Sequence, residues 1–208
     1  MSNKIKYFVQ QSWLLLVTSF LFGLLIAVAD AAWSAKIEQN KAEKLRGLMA
    51  SLISDANSFE IAIKEANVPG DKGQIIKTDI YKALDKQGNC AGFAFVAVGT
   101  GFADKIELVV AVDARCEKLF GFNVLSSNET PGFGDKIKSA GFKNQFKGAP
   151  AGKLALIKIG DAGKIDKEIV AISGATVTST GVVNIFNKTV VSVKEQLQNK
   201  GLITANGR

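Results

Sequence analysis

The sequence contains no histidine in 208 residues. That removes the side chain that most often ligates metals and serves as a general base near neutral pH. Cysteine is almost as scarce: Cys90 and Cys116 are the only two, too few and too far apart for a zinc or iron–sulfur cage. Any redox chemistry must therefore come from a bound organic cofactor, and no metal ligand set or catalytic residue is assigned. There are only three prolines, and no internal repeat or low-complexity tract interrupts the chain, which is long enough to bury one good core and carry one extra element. Basic residues outnumber acidic ones, 26 to 19. They are interleaved with acids, as between Lys36 and Arg46, and so read as solvated faces rather than a nucleic-acid stripe.

One stretch stands apart. No charged residue occurs between Tyr7 and Ala29, and Trp13 through Val17 and Leu24 through Val28 are continuously apolar. At about 1.5 Å per residue, a helix of this length crosses roughly 30 Å of hydrocarbon. Lys4 and Lys6 precede the run and Asp30 follows it. The positive-inside tendency then gives a cytoplasmic N-terminus at residues 1–6, a single-pass anchor at residues 7–29 and the bulk of the protein on the periplasmic or extracellular side of the cytoplasmic membrane. Ala27-Val28-Ala29 also fits a signal-peptide cleavage site. Beyond it, Trp33, Ile37, Leu45, Leu48, Met49 and Leu52 continue at helical spacing, which favours an uncleaved anchor running into a helical stalk over residues 30–57.

From Ser58 the texture changes, and residues 58–208 read as one globular domain. Phe59, Ile61 and Ile63 alternate with polar or small residues before Pro69-Gly70. Ile80–Leu84, Cys90–Val98, Ile106–Val112 and Leu119–Leu125 read as successive short strands separated by turn residues. Such short connections make an antiparallel meander. A hairpin turning at Thr100-Gly101 brings Cys90 near Ala114 to Cys116, so that both a disulfide and two separate thiols at strand ends are compatible with the pattern. The fold class is α+β: an antiparallel sheet with flanking helices behind an N-terminal transmembrane helix.

Two motifs interrupt the apolar patterns. Ser173-Gly174-Ala175-Thr176-Val177-Thr178-Ser179-Thr180 carries five hydroxyls and no charge. It lies between the strand-like Glu168–Ile172 and a helical face formed by Val182, Phe186, Val190, Val193 and Leu197. Hydroxyls there are compatible with ordinary helix capping and with a phosphate held on unpaired helix N–H groups, approached through Gly174. The other motif is Asn128-Glu129-Thr130-Pro131-Gly132-Phe133-Gly134-Asp135-Lys136-Ile137. It reads as a Pro-Gly turn leading, with Asp135 as a cap, into a short helix.

Taken together, in this order and about forty residues apart, the two motifs resemble those of the FMN-binding domain of the Rnf complex G subunit. The C subunit of the sodium-pumping NADH:quinone reductase carries a similar pair. The single anchor and the chain length look more like the Rnf protein. The resemblance implies FMN joined through its phosphate to Thr176. It further implies contacts from Ser173, Gly174, Ala175, Thr178 and Ser179, and from Glu129, Thr130, Pro131, Gly132, Phe133 and Gly134. Implied partners are the other subunits of a membrane-bound Rnf complex, which passes electrons between ferredoxin and NAD and moves sodium or protons. A flavin transferase would be needed for maturation. One departure is visible: where the family usually carries an acid, three residues before Ser173, this chain has Val170, with Glu168 two residues earlier. That departure keeps open an exported binding or sensory module of the same fold without the covalent flavin.

Overall fold

The computed structural model describes residues 2–203, which fall into two compact units divided between Lys44 and Leu45. The first unit is helical throughout. It is the larger part of helix α1, Ser2–Leu52, and its segment Gln10–Ser34 is long and apolar enough to cross a membrane. Leu14, Leu15, Phe20, Phe22 and Ile26 all lie exposed along it. Large side chains of this kind need an apolar solvent around them, which lipid supplies.

The second unit is built on a five-stranded antiparallel sheet in the order β1 to β5. Its strands are β1 (Ser58–Pro69), β2 (Ile75–Leu84), β3 (Cys90–Thr100), β4 (Lys105–Asp113) and β5 (Leu119–Ser127). Sequential order with short connections is what the meander pattern predicts. The period of two decides which face each residue serves. On β3, Phe93, Phe95 and Ala97 enter the main core, whereas Ala94 enters a second, smaller cluster. On β4, Ile106, Leu108, Val110 and Val112 join the first and Val109 and Ala111 the second.

Helix α3, Thr176–Asn199, fills the main core with the face that the sequence predicts: Val182, Phe186, Val190, Val193 and Leu197 are all buried. Short segments complete that layer, including helix α2 (Ala140–Lys143) and the parallel pair β6 (Ala155–Ile157) and β7 (Glu168–Val170). Against the other face of the sheet pack Leu45, Leu48, Met49 and Leu52 from the end of α1, with Ile53 just beyond it. Asn123 of β5 pins them: its amide donates to Ser51 Oγ (2.8 Å), and Lys143 Nζ donates to its carbonyl (2.5 Å). Removal from water pushes the Lys143 ammonium below its ordinary value, with Lys147 adding repulsion.

Two points carried over from the sequence are decided here. Both cysteines are free thiols. The β3–β4 register pairs Gly92 with Asp113, so Cys90 does approach the following turn. There Cys116 adopts φ 51° and its side chain is buried in the main core. Burial, then the nearby Asp113 carboxylate, pushes its thiol up to about 12. The other point is a correction: Asp135 does not cap the helix after the Pro-Gly turn. That helix is a 3₁₀ turn, Gly134–Lys138, preceded by Phe133 with no side-chain cap.

Candidate cofactor site

The β3–β4 turn, the Pro-Gly loop and the N-terminus of α3 meet around a cavity of about 490 Å³. That volume lies in the ordinary range for a small-molecule or cofactor site. Its walls are Phe102 from the first element, Glu129, Thr130, Phe133 and Gly134 from the second, and Gly174 through Thr178 from the third. Of the residues expected at the site, the structure brings together Glu129, Thr130, Phe133, Gly134, Gly174, Ala175, Thr176 and Thr178. Ser173, Pro131, Gly132 and Ser179 do not line the cavity. Phe102 and Val177 do, and neither is among the expected contacts. Phe102 sits in a Gly-Phe-Ala turn that carries no motif, and Val177 looks like any helical apolar residue.

Glu129 joins the three elements. It is only 6% exposed. One carboxylate oxygen accepts the N–H groups of Phe102 (2.9 Å) and Ala103 (3.0 Å). The other accepts the Thr178 hydroxyl (2.5 Å). A buried carboxylate is tolerable only when charge-assisted hydrogen bonds replace its water, and these three do. Two glycines make room for it. A Cβ at Gly101 would collide with the carboxylate, and one at Gly134 would meet both Glu129 and the Thr178 hydroxyl. Gly181 performs the same service one helical turn on, since a Cβ there would strike the Thr100 carbonyl oxygen at 2.5 Å.

The five hydroxyls of the α3 motif divide sharply by use. Thr178 donates to Glu129. Ser179, fully buried, donates to the Ala175 carbonyl and accepts from the Ile172 N–H, both at 3.0 Å. Thr180 donates back to the Thr176 carbonyl at 2.8 Å. Ser173 is exposed outside the cavity. Among the described residues, none engages the hydroxyl of Thr176, which lines the cavity at the first position of the helix. None of the five acts as the N-cap: that residue is Ala175, without a side-chain cap bond. No side-chain cap therefore occupies the N–H groups of the first turn.

Apolar surface dominates the remaining wall. Phe133 lies over Gly174, whose φ of +81° no branched side chain would tolerate; a Cβ there would touch the ring at 3.4 Å. Among the described residues, no lysine or arginine lines the cavity. Lys136, a candidate for balancing phosphate charge, is exposed and outside it. Nor does the position of the missing acid reach it. Val170 is fixed on β7 by Gln145, which exchanges two hydrogen bonds with its backbone, and Glu168 is exposed.

A mostly apolar cavity beside an uncapped helix N-terminus suits a flat aromatic ring carrying a phosphate, and comparison with known proteins agrees on the class. Residues 101–191, which contain every wall of the cavity, match the FMN-binding domain family. The solved structure of NqrC from Shewanella oneidensis has the same fold, with a TM-score of 0.52 at 21% identity over 70% of this chain and 73% of that one.

Closer relatives give the family. The chain is 31% identical to the G subunit of the proton-translocating ferredoxin:NAD(+) oxidoreductase complex of Clostridium ljungdahlii, over 86% of this chain and 88% of that one. It is 29% identical to the G subunit of the ion-translocating oxidoreductase complex of Methanosarcina acetivorans, over 88% and 92%. The chain belongs to the family of G subunits of ion-translocating oxidoreductase, or Rnf, complexes, and with its apolar N-terminal helix it is a single-pass membrane protein.

Proposed function

We propose that this chain carries one FMN, esterified through its phosphate to Thr176 Oγ, and serves as an electron-carrying subunit of a redox-driven ion translocase. The complex passes electrons between ferredoxin and NAD and moves sodium or protons, and this chain acts beside the other subunits. One observation carries the assignment: of five clustered hydroxyls, that of Thr176 alone lines the cavity without a protein partner.

The lining explains why attachment is covalent. With no lysine or arginine among the described residues that line it, the cavity offers a phosphate dianion only neutral donors: the Thr130 and Thr176 hydroxyls and helix N–H groups, the latter a contribution of roughly 0.3–2 kcal/mol. The buried Glu129 carboxylate adds negative charge to the same wall. A freely exchanging FMN would be held weakly and diluted away outside the cell. An ester to Thr176 removes that loss and leaves the ring to Phe133 and the apolar wall.

Installation falls to a separate flavin transferase acting on FAD with a divalent metal. The Thr176 O–P bond forms, the FAD pyrophosphate bond breaks, AMP leaves and the hydroxyl proton passes to solvent. No base near Thr176 is needed in this chain, which agrees with its lack of histidine. Glu168 is exposed close to the motif and supplies the acid for recognition in place of Val170.

Bound FMN supplies the capacity to take up and release one or two electrons. The chain's own residues position the ring, exclude water from part of it and set its electrostatic surroundings. Residues 7–29 are the anchor and residues 30–57 the stalk, whose end from Leu45 to Ile53 packs on the sheet, with Lys4 and Lys6 on the cytoplasmic side and the flavin domain on the other. The test is flavin fluorescence that stays with the protein band after full denaturation, when the chain is expressed beside a flavin transferase. It is expected in the native sequence and absent in Thr176→Ala. Fluorescence that leaves with the denaturant would contradict the covalent assignment.

A further inference from the structure

We propose that Phe102 is a ring-binding residue of the flavin site and that Glu129 is the positioning residue that holds it there. This rests on the FMN reading above. Phe102 belongs to neither sequence motif, yet it lines the same cavity as Phe133 and Thr176. It is 69% exposed, and Phe133 is 56% exposed. Neither takes part in the aromatic cluster of the core. Two large apolar side chains left open on one cavity mark a surface that a ligand covers. A flat conjugated ring is the ligand whose faces match phenylalanine rings.

A turn residue this exposed needs something to fix it. Glu129 does so through the backbone, because the carboxylate oxygen that accepts the Phe102 N–H also accepts that of Ala103. The other oxygen is tied to Thr178, two residues beyond Thr176. The second aromatic wall and the attachment helix are thereby referred to one buried carboxylate. All three hydrogen bonds that Glu129 accepts come from protein groups, so its action on the flavin runs through Phe102 and Thr178. The turn is also held from outside, where Asp71 accepts the Thr100 N–H at 2.6 Å and binds Lys188 of α3 at 2.6 Å.

The test uses the full chain, detergent-solubilised after expression beside a flavin transferase, with iodide as a quencher of flavin fluorescence. Intact mass is recorded on each sample. Phe102→Ala is expected to keep its FMN and to raise the iodide quenching constant about two- to threefold, as one face of a mostly covered ring opens. Glu129→Ala is expected to give the same rise, and to speed amide exchange at Phe102 and Ala103 by roughly fivefold, the equivalent of one net hydrogen bond. Glu129→Gln, which keeps an acceptor for both N–H groups, is expected to restore values near the native ones. If Glu129→Ala does not fold, Glu129→Asp, one methylene short of its donors, replaces it with the same expectation. An iodide constant unchanged in Phe102→Ala, with FMN attached, overturns the role of Phe102. A ring shielded as in the native protein when Glu129 is replaced by Ala or Asp overturns that of Glu129. No FMN mass on the native sequence overturns the proposed function, and this inference with it.

Discussion

Phe122, Phe142, Phe146 and Phe186 form edge-to-face and tilted pairs with ring centroids 4.7 to 6.4 Å apart, and none is more than 3% exposed. Phe102 and Phe133 are the same residue type, yet each is more than half exposed and lines the cofactor cavity. In the first set each ring satisfies its neighbours, so the protein alone accounts for their positions. In the second set the protein fixes only the backbone, through Glu129 for Phe102 and the Pro-Gly loop for Phe133. The faces are left for something else. One set stabilises the fold, and the other defines what the fold receives.

The comparison makes ranked claims about stability. Phe186→Ala should cost the most, about 3–5 kcal/mol, because it opens a cavity where α3 meets Phe122 and Phe146. Denaturant unfolding of the solubilised protein measures this, and a loss below about 1 kcal/mol would break the distinction between the two sets. Glu129→Ala comes next at about 1–3 kcal/mol, since it strands two backbone N–H groups and a buried hydroxyl.

Asp71 sharpens the comparison from outside the pocket, because it ties the turn that carries Phe102 to α3. The Lys188 ammonium bonded to it holds its carboxyl below the ordinary value of 3.8, with the Thr100 hydrogen bond adding to the effect. A depressed carboxylate contributes stability above its unfolded value, and that contribution fades as pH falls below 3.8 toward the folded value. Asp71→Asn should therefore cost about 0.5–1 kcal/mol at neutral pH, as for a partly exposed pair. The gap from the native protein should close as unfolding is repeated at progressively lower pH below that point. A gap independent of pH would assign the loss to packing rather than charge. Phe133→Ala should be the mildest, within about 0.5 kcal/mol, as for a surface residue. A large loss there would show that Phe133 belongs with the core set after all.

Much of this arrangement is legible in the sequence because it depends on local periodicity. The α3 face from Val182 to Leu197 and the alternation along β3 and β4 follow from spacings of three or four and of two, and the structure keeps them. Glu129, Phe133 and Thr176 stand out because they sit in compact motifs. The role of Glu129 does not, because its donors come from positions far along the chain, Phe102 and Ala103 on one side and Thr178 on the other. Phe102 is invisible for the same reason. Gly101, Gly134 and Gly181 look like turn or helix-breaking glycines until the backbone and carboxylate lying against each are seen. Asp135 misleads because a short polar residue after Pro-Gly suits a cap, whereas the chain tightens there into a 3₁₀ turn too short to need one.

The central claim is that the hydroxyl of the α3 motif that lines the cavity with no partner among the described residues, that of Thr176, carries the flavin. Its most direct test is the intact mass of the protein made beside a flavin transferase, with Thr176→Ala and Thr178→Ala measured in parallel. The account predicts one added FMN less one water on the native chain, none on Thr176→Ala, and retention on Thr178→Ala, whose hydroxyl is spent on Glu129. An unmodified native chain, or an adduct that survives Thr176→Ala, would contradict it.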